Sequence, residues 1–372
     1  NIMEPSLQNI SDNTTSLEFT LSDVDTSIAN SLRRIIISNI QCFVFRTSPY
    51  EKNDAIIEKN TTRFNNEILK QRLSCIPIHI TDPKFPYETY EIEINKHNNT
   101  NKVEFITTED FKIKNTLNNE YLSKEEQKKI FPPDAITKHY IDFARLRPSV
   151  SDEIPGESLN MKCKISKASG IDDYMYNNVS VCAYGNTVDS SKAESEWNKL
   201  EKQYSKDNKS EQELQKLYNN YMLLDAKRYF IKNSFDFIIE TIGIYKNKDL
   251  IKLGCDELIK KFNTIITLLD DDKLIINNSD NTNDNSYDII LENEDYTIGK
   301  VIEYLLHVKF FKDTQNKKID YCGFIKKHPH DNFSIIRIIY SNDVNDSYIK
   351  NDIRIISLLA IELYNKIKSL FI

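Results

Sequence analysis

Residues 25–40, DTSIANSLRRIIISNI, place the strongest constraint on how this chain can fold. Asp25 is a good helix N-cap, and on a 3.6-residue wheel Ile28, Ala29, Leu32, Ile35, Ile36 and Ile40 share one face. Their stripe spans roughly 140°, against the ~100° that a surface helix needs to cover its own core. A helix of that kind packs against two neighbours at once. Arg33 lies at the edge of the stripe and Arg34 near the opposite side, so guanidinium forks stand at its margin for carboxylates or backbone carbonyls. An ordinary amphipathic core helix with two solvated arginines is the alternative reading of the same residues.

At 372 residues the chain has room for two or three domains. A strand precedes the first helix in SLEFTLS, and a second helix is expected around residues 64–73, closed by a short apolar strand with Pro77 at its edge. Alternation in YETYEIEINK and KVEFITTEDFKI marks a more polar sheet, and Pro132 and Pro133 end any helix begun in the charged LSKEEQKKI. Residues 189–225 read as a charged helical excursion, with Trp197, Leu200 and Tyr204 on one face and Leu214, Leu217, Tyr218 and Tyr221 on another. A strand in NSFDFIIETIG and an amphipathic helix carrying Leu250, Leu253, Leu258, Phe262 and Ile265 follow. The Asn/Asp-rich tract at about 271–286 breaks all periodicity and reads as a linker. Beyond it come a strand, the helix TIGKVIEYLLHV, two more strands, and a last helix apolar on almost every side, as buried or docked helices are. Both parts run strand, helix, further strands and long helix, which suggests two related modules that pair.

Catalytic chemistry is hard to find. Lys plus Arg total 49 against 56 Asp plus Glu, a net charge of −7, which argues against a stand-alone nucleic-acid binder. Six cysteines lie far apart without a C-x-x-C pair and read as free or buried thiols of a reducing compartment. With neither a leader-like N-terminus nor an apolar run of about 18 residues, the chain is expected to be soluble and not secreted. Asp280, Thr282 and Asp284 have calcium-loop spacing but lack the glycine at position six and an acidic twelfth residue. The run Asp270, Asp271, Asp272 reads as a solvated helix end in preference to a magnesium site. His328 and His330 have no third ligand at metal-finger spacing, and neither a phosphate-binding glycine loop nor a nucleophile elbow occurs.

Several segments together resemble one family. FTLSDVDTSIANSLRRIIIS, with Ala29, Asn30, Leu32, Arg33 and Arg34, is similar to the signature of the bacterial RNA polymerase alpha amino-terminal domain and its relatives, the archaeal D subunit and the third subunit of RNA polymerase II. NNEILKQRLSCIPI, with Glu67, Arg72, Leu73, Ile76 and Pro77, resembles the family's next block, and FDFIIETIG the place where its dimerisation domain closes. After the tract, Asn293, Glu294, Asp295, Thr297 and Gly299, then Gly323, His328 and Pro329, resemble the smaller partner, the archaeal L or eleventh polymerase II subunit. Tyr296 stands where that family often has His, and Lys300 where it often has Asn.

The fold class this implies is α+β: two alpha-like dimerisation modules fused in one chain and pairing as an intramolecular pseudo-dimer, plus a mostly β insert domain. The modules would be 1–80 with 230–270, and 287–372, around an insert at 81–229. The pairing interface would take Ile28, Ala29, Leu32, Ile35, Ile36, Thr297, Gly299, Ile302 and Leu305. Asn30, Arg33, Arg34, Arg72, Glu294, Asp295 and His328 would meet the large subunits, so Arg33→Ala or Arg34→Ala should weaken that capture without unfolding the chain. The resemblance implies a non-catalytic scaffold of a DNA-directed RNA polymerase, partnered by the largest and second-largest subunits and a small zinc-bearing one. DNA and RNA would be met only through the complex, and no membrane is expected. No cofactor or metal is expected in this chain, the catalytic magnesium belonging to the largest subunit. A fusion of this kind looks like that of large cytoplasmic DNA viruses, which implies host cytoplasm and virion; otherwise nucleus or cytosol. The competing readings are a stand-alone structural or interaction protein of the virion, and a metal-dependent nuclease or transferase using Asp270–Asp272.

Overall fold

The computed structural model describes residues 3–151, 153–206, 209–279 and 284–371. Along the chain come β1 (Ser6–Asp12), β2 (Ser16–Ser22), α1 (Thr26–Ser38), β3 (Cys42–Val44), β4 (Ala55–Asn60), α2 (Asn66–Ser74), β5 (Tyr90–His97) and β6 (Glu104–Thr107). Next are β7 (Lys112–Asn115), α3 (Lys124–Ile130), β8 (Asp142–Leu146), β9 (Ser158–Lys164), β10 (Ser166–Ala168), β11 (Val179–Val188), α4 (Ser190–Lys206) and α5 (Glu211–Leu223). The remainder is β12 (Phe230–Thr241), α6 (Asn247–Asp270), β13 (Ile275–Asn278), β14 (Ser286–Glu292), α7 (Tyr296–Leu306), β15 (Ile319–Ile325), β16 (Phe333–Tyr340) and α8 (Asp346–Ser369). They form two compact units, one holding the residues up to Ile36, Val181–Glu240 and those from Asn247 on, the other Ile37–Ser180 with Thr241–Lys246.

The first unit contains two halves of like construction. In one, the strands lie in the order β1-β2-β12-β11, and β2 and β12 pair antiparallel with Phe19 opposite Phe237, their rings stacked at 5.1 Å. Alternation along β2 sends Leu17, Phe19 and Leu21 into the core, where α1 and α6 cover them. In the other, β13-β14-β16-β15 is antiparallel throughout, with Ile289 opposite Ile336. Asp288 and Arg337 pair across that sheet through two 2.7 Å hydrogen bonds, while α7 and α8 carry its apolar side. α7 ends in one π-helical turn, His307–Lys312.

Four helices, two from each half, make one pack. α6 and α8, 24 residues each, run antiparallel. Their contacts descend from Asp256 against Lys368, through Phe262 against Tyr364, to Asp270 with Arg354 and Asp272 with Lys350. α1 enters this pack at Gly254, where an added Cβ would stand 2.8 Å from the Ile36 side chain and 3.2 Å from that of Ile35. On α8 itself, the fully buried Asp352 is ion-paired to Lys318 and accepts a 3.1 Å hydrogen bond from the Tyr340 hydroxyl. Lys318 in turn lies over the rings of Phe310 and Tyr348.

The second unit has its own core. The sheet β4-β9-β5-β7, the ribbon β6-β8 and helix α2 enclose Phe45, Ala55, Leu69, Leu73, Ile78, Ile92, Ile94, Phe143, Leu159 and Met161. Asn65 caps α2, Ser123 closes a capping box on α3, and Pro132 and Pro133 stand beyond the latter's end. The division therefore falls elsewhere than the expected 1–80 boundary. Residues 37–80 join this core and not that of α1, because Ala55, Leu69, Leu73, Ile76, Ile78 and Ile80 pack on its sheet.

Two further expectations change. The excursion at 189–225 is a helical hairpin of the first unit, between β11 and β12, and its two aromatic faces turn toward each other. Trp197 meets Tyr218 and Tyr221 at ring separations of 5.2 and 5.3 Å, and the Tyr221 hydroxyl donates to the Ala193 carbonyl. The tract expected as linker contains β13, because Ile275–Asn278 finds β14 as a ladder partner despite its polar flanks.

The close approach at Gly254 gives a direct test. Gly254→Val should lower stability by about 1–3 kcal/mol through overpacking, read by urea unfolding. Gly185→Ala, where an added Cβ meets nothing within 4 Å, should change it little. A Gly254→Val chain as stable as its parent would mean that α1 and α6 can part without penalty.

Candidate functional site

The feature with the most developed chemistry is the contact between the two halves of the first unit. Both enter it through the same device. Asp25 caps α1 by accepting from the Ser27 amide at 2.9 Å, and Asp295 caps α7 by accepting from the Thr297 amide at 2.8 Å. The local sequences run in parallel: Asp25-Thr-Ser-Ile-Ala-Asn-Ser-Leu and Asp295-Tyr-Thr-Ile-Gly-Lys-Val-Ile. This repeat, read as Asp-x-Ser/Thr-Ile-Ala/Gly, is a signal by which the sequence could have aligned the two helices.

Ile28, Ala29, Leu32, Ile35 and Ile36 are all buried, as are Thr297, Ile302 and Leu305. Within this apolar contact the Ser31 hydroxyl lies 2.6 Å from that of Tyr364, which is wholly buried on α8, and also donates to the Ile28 carbonyl. Burial holds the Tyr364 phenol well above its ordinary pKa, so it stays neutral. Gly299 has a different role from the pairing one expected. A Cβ there would run into the Phe324 ring of the same half, so the glycine serves close packing of α7 on its own sheet.

The polar residues expected to face a partner are largely used inside the chain. Arg34 donates to the Thr297 hydroxyl at 2.9 Å and is ion-paired with Asp295, bridging α1 to the start of α7. Glu294 pairs with Lys261 of α6 at 2.8 Å. Burial raises the Glu294 carboxyl despite that lysine. For Asp295 burial acts in the same direction, but hydrogen bonds from Thr297 and the Arg34 guanidinium outweigh it, and the carboxyl lies below its ordinary range. The reason Arg34 is not on a free margin is that α1 is enclosed on more than one side, so the flank opposite its apolar stripe meets α7. Arg34→Ala therefore removes a contact inside the chain as well as any contact with a partner. Arg33, half-buried, folds back on Asn30 through bonds of 3.1 and 2.9 Å.

Arg72 belongs to the second unit, where it donates to the carbonyls of Phe143 and Asp142 at 2.8 and 2.7 Å and lies over the Phe64 ring. It ties α2 to β8. His328 is exposed in the turn between β15 and β16. Asn30 lines a cleft of about 500 Å³ together with Asp25, Ser27, Glu303, Tyr304 and His307.

Sequence reasoning missed Tyr364, Ser31, Gly254 and Lys261. Asp270–Asp272, read as a solvated helix end, are exposed at the end of α6, and what the reading lacked is that Asp270 and Asp272 meet Arg354 and Lys350 there. The two basic residues stand four apart on α8, a spacing that could have signalled a face with an acidic partner. Among the described residues no group of three or more His, Cys, Asp or Glu side chains is arranged to hold a metal ion. Asp280 and Thr282 lie outside the described residues. Cys42, Cys163, Cys182 and Cys255 are buried, and burial pushes the Cys42 and Cys182 thiols up to about 12.

Residues 18–262 match the family model described as the RNA polymerase Rpb3/Rpb11 dimerisation domain. The match runs from β2 into α6 and ends before the second half. Curated relatives include the DNA-directed RNA polymerases I and III subunit RPAC1 of Homo sapiens and that of Bos taurus, each 38% identical over 72 residues. The aligned stretch is 19% of this chain and 19% of each relative, so the chain spans about a fifth of the length of the curated relatives it matches.

The Arg34–Asp295 bridge has a pH signature. A carboxyl lowered in the folded state adds stability above its ordinary pKa of ~3.9 and loses it as pH falls through the folded value. Glu294, raised by burial, has the opposite sign. Asp295→Asn keeps a good N-cap and removes the charge, so it should flatten the loss of stability below about pH 4, followed by urea unfolding across a pH series. Glu294→Gln should not flatten it. An unchanged acid limb in Asp295→Asn would show that the bridge does not couple to folding.

Proposed function

This chain belongs to the family of the RNA polymerase Rpb3/Rpb11 dimerisation domain, and from that membership we propose that it is a fused, non-catalytic assembly subunit of a multisubunit DNA-directed RNA polymerase. Both members of an alpha-like pair are carried on one polypeptide: β1, β2, β12, β11, α1 and α6 act as the larger, and β13–β16, α7 and α8 as the smaller. The observation that carries this reading is the repeated strand, Asp cap and helix at Asp25 and Asp295, with Arg34 and Ser31 of one half bonded to Asp295 and Tyr364 of the other.

Fusion changes the physics of pairing. A short flexible tether holds two modules at an effective concentration on the order of mM, so the pair forms without matched synthesis of two chains. The assembled unit then offers an asymmetric surface, with Arg33, Asn30 and the exposed His328 turn available to the largest and second-largest subunits and to a small zinc-bearing subunit. RNA synthesis, with its magnesium, is the work of those partners, and nucleic acid is met through them. A viral source, with transcription in the host cytoplasm and packaging in the virion, fits the fused arrangement.

Isolating the tagged full-length chain from the cells that produce it, at moderate salt, should recover two larger proteins and template-dependent RNA synthesis. Recovery of the chain alone, or of a homo-oligomer, would overturn the reading. The fusion has its own test. With a protease site inserted in residues 271–274, between α6 and β13, cleavage should leave two fragments that co-elute by gel filtration, and fragments that separate would mean that the halves do not form an autonomous pair.

A further inference from the structure

A cleft of about 830 Å³ in the second unit differs in chemistry from the helical pack. Lys112 on β7 and Lys124 and Lys128 on α3 project along it, the last two one turn apart and so on one face of their helix. All three are exposed, and none has an ion-pair partner among the described residues. Lys96 also lines the cleft, but Asp110 at 3.0 Å and the Phe105 carbonyl at 2.8 Å already hold it. Four lysines thus face two carboxylates, Glu109 and Asp110, in a chain whose net charge is −7.

A second observation points the same way. Thr108 lines this cleft and is 2% exposed, yet its hydroxyl has no hydrogen-bond partner among the described residues. Its backbone amide is satisfied by the Ile141 carbonyl at 3.0 Å, and the neighbouring Thr107 hydroxyl by the Glu109 amide. Buried hydroxyls left without a partner are uncommon, and an incoming acceptor would complete this one. Phe131 supplies an apolar floor, and Tyr121 an exposed ring at the side.

We propose that this cleft binds an acidic segment of another polypeptide, its carboxylates taken by Lys112, Lys124 and Lys128 and one acceptor oxygen by the Thr108 hydroxyl. The volume and aromatic walls exceed what a lone inorganic anion fills. A nucleic-acid strand fits less well, since its backbone repeats a charge at every nucleotide and wants a long basic track, whereas here three unpaired lysines line one short cleft with Glu109 in its wall. A peptide can space its carboxylates to pass Glu109. The inference concerns the second unit alone and stands apart from the polymerase reading.

The test uses the full-length chain and two fluorescent probes of similar charge, deca-glutamate and deca-thymidylate, with binding followed by anisotropy at low and moderate salt. Deca-glutamate should bind saturably, weaken as salt rises, and lose at least tenfold in affinity in the double variant Lys124→Gln, Lys128→Gln. Thr108→Val, which keeps the side-chain shape, should lose several-fold with a thermal midpoint that is not lowered. Lys216→Gln with Lys227→Gln, on the α4–α5 hairpin and its connection to β12, should change nothing. Absence of saturable peptide binding, tighter binding of the oligonucleotide, or an equal loss in the hairpin variant would each overturn the proposal.

Discussion

The antiparallel seam between α6 and α8 is the contact on which the rest of the first unit depends. Each sheet is apolar on one face and cannot leave that face in water. Each half has two helices to cover it, but α1 is apolar over a wider arc than one sheet needs. The two halves solve this together. α1 meets α6 at Gly254 and α8 at Tyr364, so its broad stripe is covered by elements that lie far apart in sequence. Phe19 of β2, stacked on Phe237, also meets Phe371 edge-on beyond the end of α8 at 4.9 Å, extending the shared core to the last described residues.

A dry contact of this size would tolerate sliding if it were apolar throughout. The Ser31–Tyr364 pair opposes that, because a shift of one residue would take the buried Tyr364 hydroxyl from its partner, at about 1–3 kcal/mol, while Ser31 keeps its own bond to the Ile28 carbonyl. Asp352 is a second fixed point: its buried carboxylate is compensated by Lys318 and Tyr340, so α8 has one position on β16 in which that charge is satisfied. Polar groups in these places contribute less to net stability than to uniqueness of arrangement.

How much of this could be read from the sequence follows from where each determinant lies. The α1 stripe, the Pro132–Pro133 stop, the strand before each first helix and the long last helix are local patterns, and local patterns survive without a structure. Partner choice is not local. A helical wheel places Arg34 opposite the stripe but cannot say that α7 stands there. Residue 37 lies inside α1, and Ala55, Leu69 and Leu73 are ordinary apolar positions of a strand and a helix, so the change from one core to the other leaves no compositional mark. Ile275–Asn278 has too few apolar residues to stand out from its Asn/Asp-rich flanks, and is a strand because β14 offers it a ladder. Trp197 and Tyr221 were legible as two faces, though not as faces of one hairpin core.

The rim of the seam carries a different kind of information. Asp256, Asp270 and Asp272 on or just past α6 meet Lys368, Arg354 and Lys350 on α8, and each pair leaves at least one partner about half exposed. Pairs so open to solvent add little stability, roughly 0–1 kcal/mol each. Their weight lies in what they forbid. An α8 pairing with the α8 of a second copy would bring three basic residues against the same three, and α6 against α6 would oppose aspartates. Both homotypic arrangements lose the attraction and gain repulsion, so the sign pattern selects the heterotypic contact over either self-pairing. In the fused pair proposed above, intramolecular pairing and intermolecular exchange compete for identical apolar surfaces, and the apolar area cannot distinguish them. The tether favours the first by proximity, and the complementary rim excludes the homotypic errors that proximity alone would leave possible between neighbouring molecules.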